Sequence, residues 1–176
     1  GSKKINNFLT VGNISFTELD ILFIFYVFKN TDLILAHSKY NLNSTVNNAK
    51  ADPNKVRLIY HGIDTDLFQP VPGIQRKNLV VSVGNINEEN LYRKGLLHFV
   101  ESATYLPEIQ YLLIGKFMEP KAVRQIKNIA PSNVRFIDGI YGNDLVKVFC
   151  NAKVYVQASI CESFACSMTE AMLCEC

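Results

Sequence analysis

The chain has 176 residues, of which 48% are hydrophobic and 19% charged, with a formal net charge of +2 at pH 7. That length and apolar content suffice for one globular domain or for parts of two. So small a net charge gives no electrostatic case for nucleic acid or for an acidic membrane, and any anion binding has to be local.

Gly1 and Ser2 read as a cloning remnant with no signal peptide behind them. Ser15 and Glu18 fit a capping box that opens a helix to about Lys29. The apolar run inside it, residues 21–28, is far shorter than the ~20 residues of a bilayer span. It reads as a buried helix, with attachment at a membrane surface as the alternative. A short strand is expected over 32–36, a polar helix over 40–50 and a second strand over 56–60. The stretch QPVPGIQRKN, with two prolines and a glycine, then marks a linker and a domain boundary near Lys77.

Beyond it the pattern becomes regular. Strands are predicted over 79–83, 109–114, 134–137 and 154–157, and helices over 95–104, 120–129, 143–151 and 163–173. Strands alternating with helices imply right-handed βαβ units, so the fold class is α/β, a Rossmann-like doubly wound parallel sheet. Ligands of such sheets bind beyond the carboxyl ends of the strands, which makes the loops that begin at Gly84, Gly115, Asp138 and Ala158 the ones to inspect.

The last of these loops leads into ICESFACSMTEAMLCEC, where Glu162 and Glu170 stand eight residues apart. With Glu162 just before a helix and Glu170 two turns inside it, a rise of ~1.5 Å per residue separates their backbones by roughly 12 Å. Two carboxylates at that spacing, with a helix N-terminus between them, suit an extended ligand with hydroxyls at both ends and an anion in the middle. A nucleotide sugar has that layout. In the first loop, Gly84 permits close backbone approach, while Arg93 and Lys94 stand beside Gly95 at a helix start and suit a diphosphate. Gly115 and Lys116 follow the second strand in the equivalent place, and Asp138, Gly139 and Ile140 follow the third.

Other chemistry finds little support. The five cysteines, Cys150, Cys161, Cys166, Cys174 and Cys176, are odd in number and lack paired CxxC spacing, so reduced thiols are expected and a zinc site is not. His37, His61 and His98 have no metal-like partner spacing and read as structural or surface residues. The GxSxG, HExxH and Walker lysine patterns are absent. A glycosidase would use Glu162 and Glu170 as an acid and nucleophile pair about 5 to 9.5 Å apart, but would leave the basic loop unexplained.

Taken together, SVGNINEENLYRKGLLHFVESA, LIGKF, NVRFIDGIYGNDLVKVFCNAKVYVQAS and ESFACSMTEAM resemble the successive donor-domain motifs of GT-B retaining glycosyltransferases of family four, the group 1 glycosyltransferases. Upstream, DLILAHSKYN and VRLIYHGIDTDLFQP resemble the closing segment of that family's acceptor domain. The resemblance implies that residues 1–77 hold the end of the acceptor domain and the linker. Residues 78–176 would form the nucleotide-sugar-binding domain without its C-terminal part, so that the chain is a fragment carrying mainly the donor site.

By that similarity Glu170 bonds the ribose, and Glu162 holds the donor sugar together with the backbone of Phe164, Ala165 and Cys166. Lys94 neutralises the diphosphate, Gly139 and Ile140 approach the nucleobase through backbone groups, and Gly84 and Gly115 shape the loops. The resemblance implies a transferase that needs no metal or other cofactor beyond its nucleotide-diphosphate-sugar substrate. Its partner is an unidentified carbohydrate or lipid-linked acceptor, its location cytoplasmic, with peripheral contact at the inner membrane face left open. A GT-B-like sugar-nucleotide epimerase and a non-catalytic nucleotide-sugar-binding fragment are the alternatives. Two departures stand out. Asn85 occupies the place where the family commonly has arginine, leaving Arg93 to compensate, and Ala165 replaces a usual glycine, which imposes strain only if the backbone there has positive φ.

Overall fold

The structure is a computed structural model that describes residues 17–176. It divides into two compact units, one running to Gly62 and including Glu162–Phe164, the other comprising Ile63–Cys161 and Ala165–Cys176. The boundary expected near Lys77 falls inside the second unit. Gly1, Ser2 and Ser15 lie outside the described residues.

In the first unit, helix α1 spans Glu18–Asn30. Its cap is not the expected Ser15 and Glu18 pair: Thr17 and Asp20 form the capping box, with the Asp20 backbone N–H donating to the Thr17 hydroxyl and the Thr17 N–H donating to the Asp20 carboxylate at 2.9 Å. These bonds hold the Asp20 carboxyl below its ordinary range. Strand β1, Ile34–Ala36, helix α2, Lys39–Asn47, and strand β2, Val56–Leu58, complete the unit. Ser38 caps α2 by accepting from the Asn41 N–H. β1 and β2 pair in parallel with Ile34 opposite Val56. The core is small: Ala36, Ala51 and Val56 are buried, with Phe28, Ile34, Leu42 and Val46 packed around them.

The second unit is built on a four-stranded parallel sheet. Its elements are β3 (Leu79–Val83), α3 (Glu88–Arg93), α4 (Leu96–Ser102), β4 (Gln110–Ile114), α5 (Pro120–Ile129), β5 (Val134–Ile137), α6 (Gly142–Asn151), β6 (Val154–Tyr155) and α7 (Cys166–Leu173). The strand order is β5-β4-β3-β6. The chain moves outward from β3 to β5, then returns through α6 to place β6 on the other side of β3. The order therefore reverses between β3 and β6, the switch point at which doubly wound sheets open a crevice.

Side-chain alternation explains the two covered faces. Val80, Tyr111 and Leu113 point into one core with Leu96, Phe99, Val100 and Ile126, whereas Val81, Leu112 and Ile114 point into the other with Leu145, Phe149 and Ala171. The expected doubly wound parallel sheet is thus what forms. Phe68 and its neighbours Ile63, Leu67 and Ile74 join the second core, so the supposed linker packs as part of this unit. Arg76 fixes it further, donating to the carbonyl of Ala152 at 2.9 Å, just past α6, and to that of Cys174 at 3.1 Å, just past α7. Asn133, buried, donates its amide to the carbonyls of Ala103, Leu106 and Ile109 and ties the end of α4 to the start of β4.

Three expected elements change. The polar loop before Arg93 contains helix α3, capped by the Asn87 side chain, which accepts from the Asn90 N–H at 2.8 Å. Strand β6 is only two residues long. Helix α7 begins at Cys166 rather than Ser163, because no side chain caps it earlier and Ala165 stands at its N-cap in an unstrained φ of −82°. Alanine in place of glycine at 165 therefore costs nothing in backbone strain.

Candidate functional site

The carboxyl ends of β3, β4 and β5 carry loops that are joined backbone to backbone. The Gly84 N–H donates to the Ile114 carbonyl at 2.8 Å, the Gly115 N–H to the Ile137 carbonyl at 3.0 Å, and the Ile86 N–H to the Lys116 carbonyl at 2.9 Å. Two side chains complete the seam. The Asn85 amide oxygen accepts from the Lys116 N–H at 3.1 Å, and the Asp138 carboxylate accepts from the Phe117 N–H at 2.9 Å. Asn90 then donates to the Asn85 carbonyl at 2.8 Å. Asn85 is therefore a brace between loops rather than a missing cation.

Gly115 has to be glycine for a simple reason: a Cβ there would run into the Gly84 carbonyl. A Cβ on Gly84 would lie 3.1 Å from both Lys94 Cδ and Leu96 Cδ2, so the aliphatic stem of Lys94 and the Leu96 side chain close over Gly84. Lys94 closes α3 as its C-cap, and Gly95 follows with φ of 63° against Ala158. The glycine lets the chain turn from α3 into α4 while touching the loop after β6. Gly84, Lys94 and Gly115 are thus brought together at the carboxyl end of β3, the strand that borders the switch point.

Arg93 is bonded within its own helix. Its Nε donates to Glu89 Oε1 at 2.7 Å and its Nη2 to Asn90 Oδ1 at 2.7 Å, both one turn back on α3. Its carbonyl accepts from the Ile160 N–H at 2.9 Å. The guanidinium fastens α3 to itself, and the main chain holds the loop after β6.

Gly139 and Ile140 follow β5. Gly139 adopts φ of 53°, and Ile140 turns its side chain into the second core, so its backbone is what it offers at the sheet edge. Within α7, Glu170 is the fifth residue, ~6 Å of helix rise past Cys166 rather than two turns from the helix start. Partial burial raises the Glu170 carboxyl above its ordinary value of 4.5. Ala165 and Cys166 form the first turn, with the Thr169 hydroxyl donating back to the Ala165 carbonyl at 3.3 Å.

Glu162 and Phe164 group with the first unit. There Phe164 lies 5.4 Å, ring to ring, from His61, which in turn stacks on His37 at 4.0 Å. Both histidines follow the ends of β1 and β2, and the stack gives them a packing role that spacing in the sequence could not reveal. The cysteines are reduced thiols: Cys150 and Cys174 are buried, and burial beside Cys150 pushes Cys174 up to about 12. Among the described residues no group of three or more His, Cys, Asp or Glu side chains is arranged to hold a metal ion. Nor is any helix among them long and apolar enough to cross a membrane.

Residues 64–176 match the family described as glycosyl transferases group 1, and the chain belongs to that family. Among solved structures it resembles HepE of Anabaena in complex with UDP and glucose, with a TM-score of 0.75 and 19% identity over 90% of this chain and 47% of HepE. It also resembles sucrose-phosphate synthase of Thermosynechococcus elongatus, with a TM-score of 0.69 and 24% identity over 90% of this chain and 42% of that one. The C-terminal domain of LpcC, a group 1 family glycosyl transferase of Francisella tularensis, matches with a TM-score of 0.53 and 22% identity over 65% of this chain and 68% of that one. These likenesses establish a shared GT-B fold, and the chain spans about half the length of HepE. No curated protein matches it in sequence.

Proposed function

We propose that this chain carries the donor half of a retaining, family-four glycosyltransferase, which moves a sugar from a nucleotide diphosphate to a carbohydrate or lipid-linked acceptor. The observation that carries this reading is the meeting of Gly84, Gly115 and the Lys94 stem at the switch point of a parallel sheet, within the family match. Closely packed glycine loops at strand ends, with a lysine stem laid across them, suit a diphosphate met by that lysine and by main-chain amides. HepE, solved with UDP, supplies the parallel.

In this reading Lys94 neutralises the leaving diphosphate and Glu170 accepts hydrogen bonds from the ribose hydroxyls. Gly139 and Ile140 meet the base through their backbone. Glu162, with the main chain of Phe164, Ala165 and Cys166, orients the donor sugar. Arg93 positions Lys94 by tightening α3. The acceptor hydroxyl attacks the anomeric carbon on the face from which the diphosphate departs, giving retention. Catalysis is then chiefly electrostatic, with Lys94 and backbone amides stabilising charge that grows on the leaving oxygen, in place of a metal ion. The chain would act as a piece of a longer cytoplasmic enzyme, in peripheral contact with the inner membrane face if its acceptor is lipid-linked.

The test is calorimetric titration of the chain with UDP-, GDP- and ADP-sugars, beside Glu170→Ala and Lys94→Ala. Weak binding that both substitutions abolish supports the assignment. A folded sample that binds none of these nucleotides overturns it.

A further inference from the structure

We propose that Lys116 and Tyr141 form a clamp over Gly139 that selects nucleobases bearing a keto oxygen, uracil and guanine, over adenine. This rests on the donor-site reading, which brings the base to Gly139 and Ile140.

Gly139 presents a bare backbone face between two larger side chains. A Cβ built on it would lie 3.3 Å from Lys116 Cγ and 3.4 Å from the Tyr141 hydroxyl oxygen, and φ of 53° disfavours any side chain there. Ile140 turns into the core and leaves only main chain at this edge, so it offers no side chain to distinguish one base from another. The discriminating chemistry falls to the neighbours of Gly139.

Tyr141 is 64% exposed and stands in the loop after β5, at the N-cap of α6. A large aromatic face left in water at the carboxyl edge of a parallel sheet is a platform on which a flat heteroaromatic ring can stack. The Lys116 ammonium stands 6.0 Å from the centre of that ring. This is the outer limit of cation–π attraction, so the ammonium is not committed to the ring. Among the described residues Lys116 has no carboxylate within ion-pair reach.

The backbone beneath Lys116 and at Gly139 is hydrogen-bonded. The Lys116 N–H donates to Asn85, its carbonyl accepts from Ile86, and the Gly139 N–H donates to the Ile137 carbonyl at 3.1 Å. Asp138 accepts from the next residue of the Lys116 loop, Phe117. The loop that carries Lys116 is therefore tied to the loop of Gly139, with the lysine stem and the Tyr141 ring edge both beside that glycine.

An ammonium is a donor with no acceptor. Uracil O4 and guanine O6 are acceptors, whereas adenine presents an exocyclic amine at the comparable position. A lysine facing that edge bonds the first two and meets a second donor in the third. Tyr141, by contrast, stacks on any base.

The experiment is calorimetric titration of the chain with UDP, GDP and ADP, in the unsubstituted form and as Lys116→Met, Lys116→Arg and Tyr141→Ala. The unsubstituted chain is expected to bind UDP and GDP about tenfold more tightly than ADP, the size of one charge-assisted hydrogen bond. Lys116→Met keeps the stem over Gly139 and should collapse that ratio to near one, while Lys116→Arg should retain most of it. Tyr141→Ala should weaken all three nucleotides by a similar factor of about five or more. An equal loss for all three in Lys116→Met overturns the proposal, because it reads only general attraction to the phosphates. Nucleotide binding without preference in the unsubstituted chain overturns it too, yet leaves the donor site standing. Absence of all binding removes both.

Discussion

The two units use parallel strands in opposite circumstances. In the second, the sheet has a layer of helix or chain on each face, and the alternation of Val80 with Val81 and of Leu113 with Leu112 feeds two separate cores. In the first, a two-stranded parallel pair closes over a core built on Ala36, Ala51 and Val56, while Leu19, Leu22, Phe23 and Tyr26 of α1 stay exposed. Parallel sheets are stable when both faces are covered, and two strands alone are marginal. Local stability should therefore differ between the units even though both read as βα patterns.

Like-for-like truncation gives the largest contrast. Phe149→Ala, in the second core, is expected to cost about 3–5 kcal/mol, whereas Phe28→Ala, half-buried in the first unit, should cost less than about 1.5 kcal/mol. Urea denaturation of both variants measures this, and equal losses would break the contrast. Next, Asn133→Ala should cost about 2–3 kcal/mol, since three carbonyls lose one shared buried donor. The same assay, with hydrogen exchange at β4, reads that loss locally.

Gly115→Ala tests the joined loops rather than the core. A methyl there displaces the Gly84 carbonyl, and UDP affinity should fall at least about tenfold, or ~1.4 kcal/mol. Unchanged affinity would show that the loops tolerate separation.

The smallest effect concerns Glu170. Its carboxyl is raised in the folded chain, so the stability associated with its neutral form is fully present below the unfolded value near 4.5 and is lost as pH rises through the higher folded value. Glu170→Gln should accordingly raise Tm slightly at pH 7 and leave it unchanged at pH 4. Thermal melts at the two pH values check the sign, and a lower Tm at pH 7 would contradict it.

The scaffold of the second unit was legible because apolar runs bounded by turns specify it. β3 at Leu79–Val83, α5 at Pro120–Ile129 and β5 at Val134–Ile137 begin and end where the pattern predicts. α3 was hidden because EENLYR is polar and six residues long, so its cap at Asn87 resembles any loop asparagine. The start of α7 is not marked in the sequence, because Ala165 stands at its N-cap and no side-chain cap is used. Within the candidate site, the glycines at strand ends were readable from their positions. The bonds from Asn85 to Lys116 and from Asp138 to Phe117 join residues 31 and 21 positions apart, and only the folded sheet brings them together. Arg93 illustrates the same limit, since composition reveals a positive charge but not that Glu89 already holds it.

Arg76 gives the stretch before β3 a duty that its prolines and glycine conceal. One guanidinium reaches the open carbonyls behind α6 and behind α7, so a single residue finishes two helices whose ends are distant in sequence. Tension applied to the chain ahead of β3 would therefore be felt at the tail of α7, on the helix that bears Glu170. A segment that sequence alone would treat as slack is in mechanical terms a tether.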